Sequence, residues 1–227
     1  MKLTNVIKTL NPLFLIIMFL MTAEIIKAAP QGKGHGHGYG RGYGQNQQLD
    51  KSAIMNMPKE EISAEENKGL VYMREEEKLA RDVYLTLNNK WNMRVFANIS
   101  QSEQRHTDAI KILLDKYNLK DPVANDSIGV FNNKTLAGLY STLTKQGNSS
   151  LTEALKVGAL IEEIDIIDLQ KELDESVDNA DIKYVYQNLL NGSYNHLRAY
   201  VRNLSRQGIT YKPLKLSAEQ YNAIIGF

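Results

Sequence analysis

From Ser63 onward, apolar positions recur every three or four residues, the period of a helix buried along one face. Four long stretches carry this pattern. The first opens on a capping-box signature, Ser63 with Glu66 three residues later, and the spacing predicts a helix from there to about Asn88. A short turn at residues 89–92 leads to a second helix, about Val95 to Tyr117, with the stripe Phe96, Ile99, Glu103, His106, Ile110, Leu113 and Tyr117. Ser150 and Glu153 form another box signature, opening a third helix to about Leu173 with the stripe Leu151, Leu155, Gly158, Glu162, Asp165 and Leu169. A fourth is predicted over about Asp181 to Arg206, ended by Gly208, with the stripe Ile182, Tyr186, Leu189, Ser193, His196 and Tyr200.

The connections set the arrangement. Helices one and two are joined tightly, as are three and four, so each pair is expected to be antiparallel. The link from two to three holds Pro122, a short predicted helix (Thr135 to Lys145) and Gly147, and is long enough to cross the length of a bundle. Two hairpins joined by one long crossover make an all-α, ferritin-like four-helix bundle.

The N-terminus follows a different pattern. Lys2 and Lys8 precede the apolar run Leu13 to Ala23, and small residues follow it up to Lys27-Ala28-Ala29-Pro30. This order predicts a secretory signal peptide over 1–28, with cleavage near Ala28 or alternatively Ala23, and hence a secreted, periplasmic or cell-envelope protein. A membrane span needs about 20 apolar residues, and Glu24 and Lys27 interrupt this run too early. Residues 29–50 alternate Gly with His, Tyr, Arg and Lys, which predicts a flexible linker. His35 and His37 within it are candidates for weak metal capture. The domain proper is then 51–227.

Removing residues 1–28 takes away Lys2, Lys8, Lys27 and Glu24, leaving the chain nearly neutral, so no net charge steers it toward nucleic acid or anionic lipid. There is no cysteine, so disulfides are excluded and any metal site must use carboxylate and imidazole ligands.

That restriction bears on the polar residues of the inner stripes. Glu77, Glu103, His106, Glu162, Asp165 and His196 each lie about 10–15 residues into their helices, which at roughly 1.5 Å per residue puts them all near mid-height. Buried carboxylates cost several kcal/mol each unless paired or metal-bound. Several of them at one level with two imidazoles are answered by a pair of divalent or trivalent cations, carboxylates bridging and each His supplying a terminal nitrogen. The first-helix ligand is open between Glu76, whose face includes Tyr72, Leu79, Val83 and Leu87, and Glu77, whose face includes Met73, Ala80 and Tyr84.

The stretch "EKLARDVY" (Glu77 to Tyr84) resembles the first-helix motif E-x-x-A-R-x-x-Y of rubrerythrin and other ferritin-like proteins, and "EQRH" resembles their second-helix E-x-x-H. From about Leu70 to Phe227 the chain also resembles an uncharacterised ferritin-like family, domain of unknown function 2202, in "REEEKLARDVY", "ALIEEIDIIDL" and "NHLRAY". The resemblance implies a di-iron or di-manganese carboxylate centre and favours Glu77 in the first helix. It implies ferroxidase- or peroxidase-type chemistry with dioxygen or peroxide, with Tyr84 the candidate redox residue. One departure stands out: the position three before His196, a Glu in rubrerythrin-like proteins, is Ser193. Glu162 and Asp165, themselves three apart, would restore four carboxylates and two histidines.

Plainer expectations complete the picture. Glu75 and Lys78 are read as solvated charges, and Glu163 as facing outward or pairing with Lys171 or another neighbour. Arg81, Arg198 and Arg202 are read as surface groups or partners of an inner carboxylate. Three functional classes follow: a metal-dependent redox protein, a metal-binding protein without turnover, and a metal-free structural or partner-binding bundle, a class Ser193 keeps open. A homodimer is compatible with all three. Nucleophilic catalysis is not suggested, since there is no Cys, no G-x-S-x-G and no phosphate-cradling glycine loop.

Overall fold

The computed structural model describes residues 49–226, so the expected signal peptide and all but the last two residues of the expected linker lie outside the described residues. Among the described residues the chain is all-α, with seven helices and no strand: α1 (Lys51–Asn56), α2 (Ala64–Trp91), α3 (Arg94–Tyr117), α4 (Lys134–Gly147), α5 (Leu151–Glu175), α6 (Ala180–Arg206) and α7 (Ala218–Ile225). None of these helices is long and apolar enough to cross a membrane.

Local signals account for most of the boundaries. The Ser63–Glu66 capping box is formed at the start of α2, and Asn92 ends that helix in the left-handed region at φ 47°. Only Asn92 and Met93 separate α2 from α3, and such a short link makes the two antiparallel neighbours. The box expected at α5 is only half made. Ser150 accepts from the Glu153 N–H, but the Glu153 carboxylate turns instead to Lys156 (2.8 Å) and Gln146 (3.0 Å). Two short helices, α1 and α7, were not expected. The second starts on a complete capping box, Ser217 with Gln220, a signature present in the sequence.

Helix α2 packs along α3 and α5 along α6, while α3 also meets α6 and α2 also meets α5. The apolar interior they share is split into two clusters. Leu79, Ala80, Tyr84, Phe96, Ile99, Leu155, Leu197 and Tyr200 belong to one, and Leu70, Met73, Ile110, Leu113, Leu169, Ile182, Tyr186 and Leu189 to the other. On every long helix the inner polar residues fall between members of the two clusters: Glu77 on α2, Glu103 and His106 on α3, Asp165 on α5, Ser193 and His196 on α6. A polar layer therefore crosses the middle of the hydrophobic core.

The connection between α3 and α5 corrects the reading of α2's outer face. Residues 118–133 lie against it, and every α2 residue from Met73 to Tyr84 is buried. Glu75 and Lys78 are not solvated. Glu75 accepts from the backbone N–H groups of Asn132 and Asn133, and Lys78 donates to Asp82 and to the Ser127 carbonyl while lying over the Phe131 ring. Arg74 pairs with Asp121 (3.1 Å), and Arg81 with Asp82 (2.8 Å) and Asp126 (2.7 Å). A 3.6-residue period marks one buried face; here the returning chain buries the other and supplies the partners that its charges need.

Glu163 is a second correction. It is fully buried, and its carboxylate accepts from the N–H groups of Leu214, Lys215 and Leu216 and from the Tyr211 hydroxyl. It anchors the chain after α6 rather than facing solvent. Arg198 contributes on the same side, donating to the Ile224 carbonyl of α7 (2.6 Å), while Arg202 is exposed.

Candidate metal centre

All six sequence-derived ligand candidates, Glu77, Glu103, His106, Glu162, Asp165 and His196, are buried. Five of them form two triads that share one residue. Glu77, Glu103 and His106 offer ligand atoms lying within 4.8 Å of one another, and so do Glu103, Glu162 and His196. Glu103 sits between the two imidazoles, one oxygen 2.7 Å from His106 Nδ1 and the other 2.8 Å from His196 Nδ1. The rings stack with centroids 5.6 Å apart. Glu77 Oε2 is 3.1 Å from His106 Nδ1, and Glu162 Oε2 is 3.4 Å from His196 Nδ1. Glu162 groups with His196 rather than with His106.

The contacts are close, yet hydrogen bonding does not satisfy the atoms. Glu77 Oε1 is buried without a hydrogen-bond partner, and Glu103 Oε1, Glu162 Oε2 and His196 Nδ1, also buried, approach one another at 2.8 and 3.4 Å without the angles of a hydrogen bond. Native interiors leave few such atoms, and each costs on the order of 1–3 kcal/mol, more when charged. All four are atoms that ligate cations, and all converge on the same two places. The donor set, carboxylate oxygen with imidazole nitrogen and no sulfur, suits iron or manganese.

The surrounding residues fix these orientations. The Tyr84 hydroxyl donates to Glu162 Oε1 (2.6 Å), which leaves Oε2 as the oxygen aimed at His196. Tyr84 itself packs on Tyr200, with ring centroids 5.4 Å apart. Gly158 makes room for Tyr200, since a Cβ there would lie 2.4 Å from its ring. Ser193 donates to the Leu189 carbonyl of its own helix (3.2 Å) and offers nothing to the triads. Asp165 stands outside both triads, but it is buried close enough to Glu162, Glu77, Glu76 and Glu103 for their charges to act on it.

The two α2 candidates have different neighbours. Glu77 faces His106, while Glu76, equally buried, lies against Asp168 and Tyr72. The period had put Glu76 and Glu77 on competing faces; both are interior because α2 is covered all round.

Gly192 was not foreseen. It lies mid-helix, where glycine costs about 1 kcal/mol relative to alanine, a legible signal that something requires it. A Cβ there would lie 2.7 Å from both Cε1 and Nε2 of His106. Gly192→Ala should therefore displace the imidazole. Overpacking costs about 1–3 kcal/mol, and the helix-propensity gain of about 1 kcal/mol offsets part of it. Thermal unfolding should shift little, and if His106 ligates an ion, affinity for Mn(II) should drop about 10- to 100-fold, the range seen when a group orienting a metal ligand is lost. Equal affinity in parent and variant, measured by calorimetry, would refute the positioning role.

Electrostatics gives the metal-free layer a definite pH response. Burial pushes Glu77 up to about 7, His106 opposing and Glu103 adding to the rise. His106 is raised to about 9: burial works against this, but the charges of Glu103 and Glu77 prevail. Glu103 is held well below the usual carboxylate range by His196 and His106, against its own burial. A raised His106 contributes stability that is complete below about 6.5 and lost as pH climbs through about 9. A raised Glu77 makes the folded state bind the extra proton between about 4.5 and 7, so its contribution also declines with rising pH. Glu103's contribution is already complete above about 4.5 and does not oppose them. Denaturant midpoints of metal-free protein should accordingly fall from pH 5 to pH 9; a flat or rising series would contradict this.

A family described as an uncharacterized protein domain, DUF2202, matches residues 66–226 of the chain. The uncharacterized protein MJ0754 of Methanocaldococcus jannaschii is 56% identical over 172 residues, spanning 76% of this chain and 92% of that protein. A crystal structure of hypothetical protein MJ0754 aligns with a TM-score of 0.74 over 76% of this chain and 98% of the other, again at 56% identity.

Proposed function

This chain belongs to the DUF2202 family, and we propose that it is a metal-binding protein of ferritin-like architecture whose polar layer holds two iron or manganese ions. The carrying observation is the pair of triads joined through Glu103, with buried ligand atoms left without hydrogen bonds. The two antiparallel helix pairs and the connection containing α4 support the ferritin-like, rubrerythrin-related reading of the four long helices.

In this reading Glu77, Glu103 and His106 would hold one ion and Glu103, Glu162 and His196 the other, while Asp165, outside both triads, would be the further carboxylate of the layer where Ser193 supplies none. Ions of iron or manganese bound there would supply one-electron redox chemistry toward dioxygen or peroxide. Tyr84 holds Glu162 in orientation through its hydroxyl, and with Tyr200 packed against it, the two rings tilted by 48°, forms a short aromatic route from the layer. His106 must give up its proton before its nitrogen can serve as a ligand, so loading releases protons near neutral pH. A secretory start at residues 1–28 places the protein outside the cytoplasm in this proposal.

Elemental analysis of untagged protein tests it. About two Fe or Mn per chain is the expected result. No bound metal after aerobic iron loading would instead favour a metal-free helical module with mutually paired polar residues.

A further inference from the structure

The polar layer has more acid than the two triads use, and the excess is not scattered. Asp165, Asp168 and Glu172 follow Glu162 along α5 at spacings of three, three and four, which keeps them on one face of the helix. Exposure grades along this row. Asp165 is buried, whereas Asp168 and Glu172 are half-buried at the seam between α5 and α2. Across the seam, Glu76 is buried against Asp168 and Tyr72, with its neighbour Glu77 already in the first triad.

Three buried oxygen atoms along the row are left unpaired. Glu76 Oε2 has no hydrogen-bond partner. Neither has the hydroxyl of Tyr186, which is fully buried on α6 and close enough to Glu172, Glu76 and Glu77 for their charges to act on it. Glu172 Oε2 is likewise without a partner. Gly69 leaves the space that brings them together: a Cβ there would lie 2.6 Å from Glu172 Oε2 and 3.5 Å from the Tyr186 hydroxyl. Lys171 is the cation whose charge acts on Asp168 and Glu172, whereas the charges acting on Glu76 and Asp165 are those of other carboxylates.

We propose that the seam between α2 and α5 is the entry route for divalent cations, running from Asp168 and Glu172 at its mouth past Glu76 and Asp165 to Glu77 and Glu162. This rests on the reading of the layer as a metal centre. A cation leaving water loses its hydration shell, and a graded row of oxygen atoms replaces that shell in steps, so no single step carries the whole desolvation cost. The negative mouth also concentrates cations, an effect that salt weakens.

Rapid mixing of the metal-free protein with Co(II), followed by its visible absorption, tests the route. The comparison is between the parent and the double variant Asp168→Asn with Glu172→Gln, which keeps side-chain shape and removes both mouth charges. The variant is expected to reach the same final Co(II) per chain at least tenfold more slowly, with a rate that added salt changes less than in the parent. Equal rates would overturn the route while leaving the centre in place. A lower final stoichiometry at an unchanged rate would also overturn it, because those residues would then be holding an ion themselves. A parent that takes up no Co(II) would remove the centre and the route together.

Discussion

Replacing Glu103 and His106 together by alanine is expected to abolish metal retention while leaving the helices formed. Glu103 is the residue common to both triads, so its loss opens both positions at once. His106 is removed with it so that no charged imidazole is stranded in the core, since a buried group that has lost its partner costs more than the pair was worth. The remaining groups can adjust: Glu77 is already raised to about 7 and can stay protonated, and His196 keeps Glu162 at 3.4 Å. The cavity costs about 2–5 kcal/mol, and relief of buried like charges offsets part of that. Circular dichroism should thus report parental helicity alongside an empty metal analysis. Iron or manganese bound at parental affinity would place the site elsewhere.

The largest loss of stability is expected at the neighbour of a ligand candidate. Glu162 and Glu163 are adjacent but serve opposite sides of α5, one turned to the polar layer and the other to the chain after α6. Glu163→Ala would strand the N–H of Leu216 and the Tyr211 hydroxyl, both of buried residues, and weaken the binding of Leu214 and Lys215. At about 1–3 kcal/mol for each buried group left unsatisfied, the loss should reach about 4 kcal/mol. Amide exchange should accelerate chiefly from Tyr211 to Ile224, since Tyr211, Leu216, Tyr221 and Ile224 reach the core through this anchor. Gln in place of Glu should recover little, because its amide N–H₂ group would face donors. A loss under about 1 kcal/mol would mean that solvent satisfies these groups just as well.

How much of this was readable in advance depends on where each residue's partners lie in the chain. The α3 stripe was legible because its evidence is local: seven positions at helical spacing, all of them buried. The level of Glu77, Glu103, His106, Glu162 and His196 was legible too, since helix geometry is regular enough to count along. Glu75, Lys78 and Glu163 were misread because their partners are distant. Asn132, Ser127 and Leu214 lie about 50 residues from them, and the α2 and α5 sequences hold no trace of those contacts. Asp165 and Ser193 fall between. Their inward direction was correct, but whether an inward polar group meets a ligand atom depends on side-chain rotamers, which periodicity does not encode.

The crossing segment also bears on the order in which the chain can fold. Two tight turns let α2–α3 and α5–α6 form from contacts close in sequence, whereas Asp121, Ser127 and Asp126, which complete the pairing of Arg74, Lys78 and Arg81, arrive only when residues 118–133 close over α2. Until then those charges stay in water and α2 remains an ordinary two-faced helix. Closure then belongs on the native side of the folding barrier. Asp121→Ala, which unpairs Arg74, is expected to steepen the loss of native protein by raising the unfolding rate and to leave the refolding rate almost unchanged. The clasp that hides the outer face of α2 would then act as the latch on the protein's lifetime rather than a driver of its assembly.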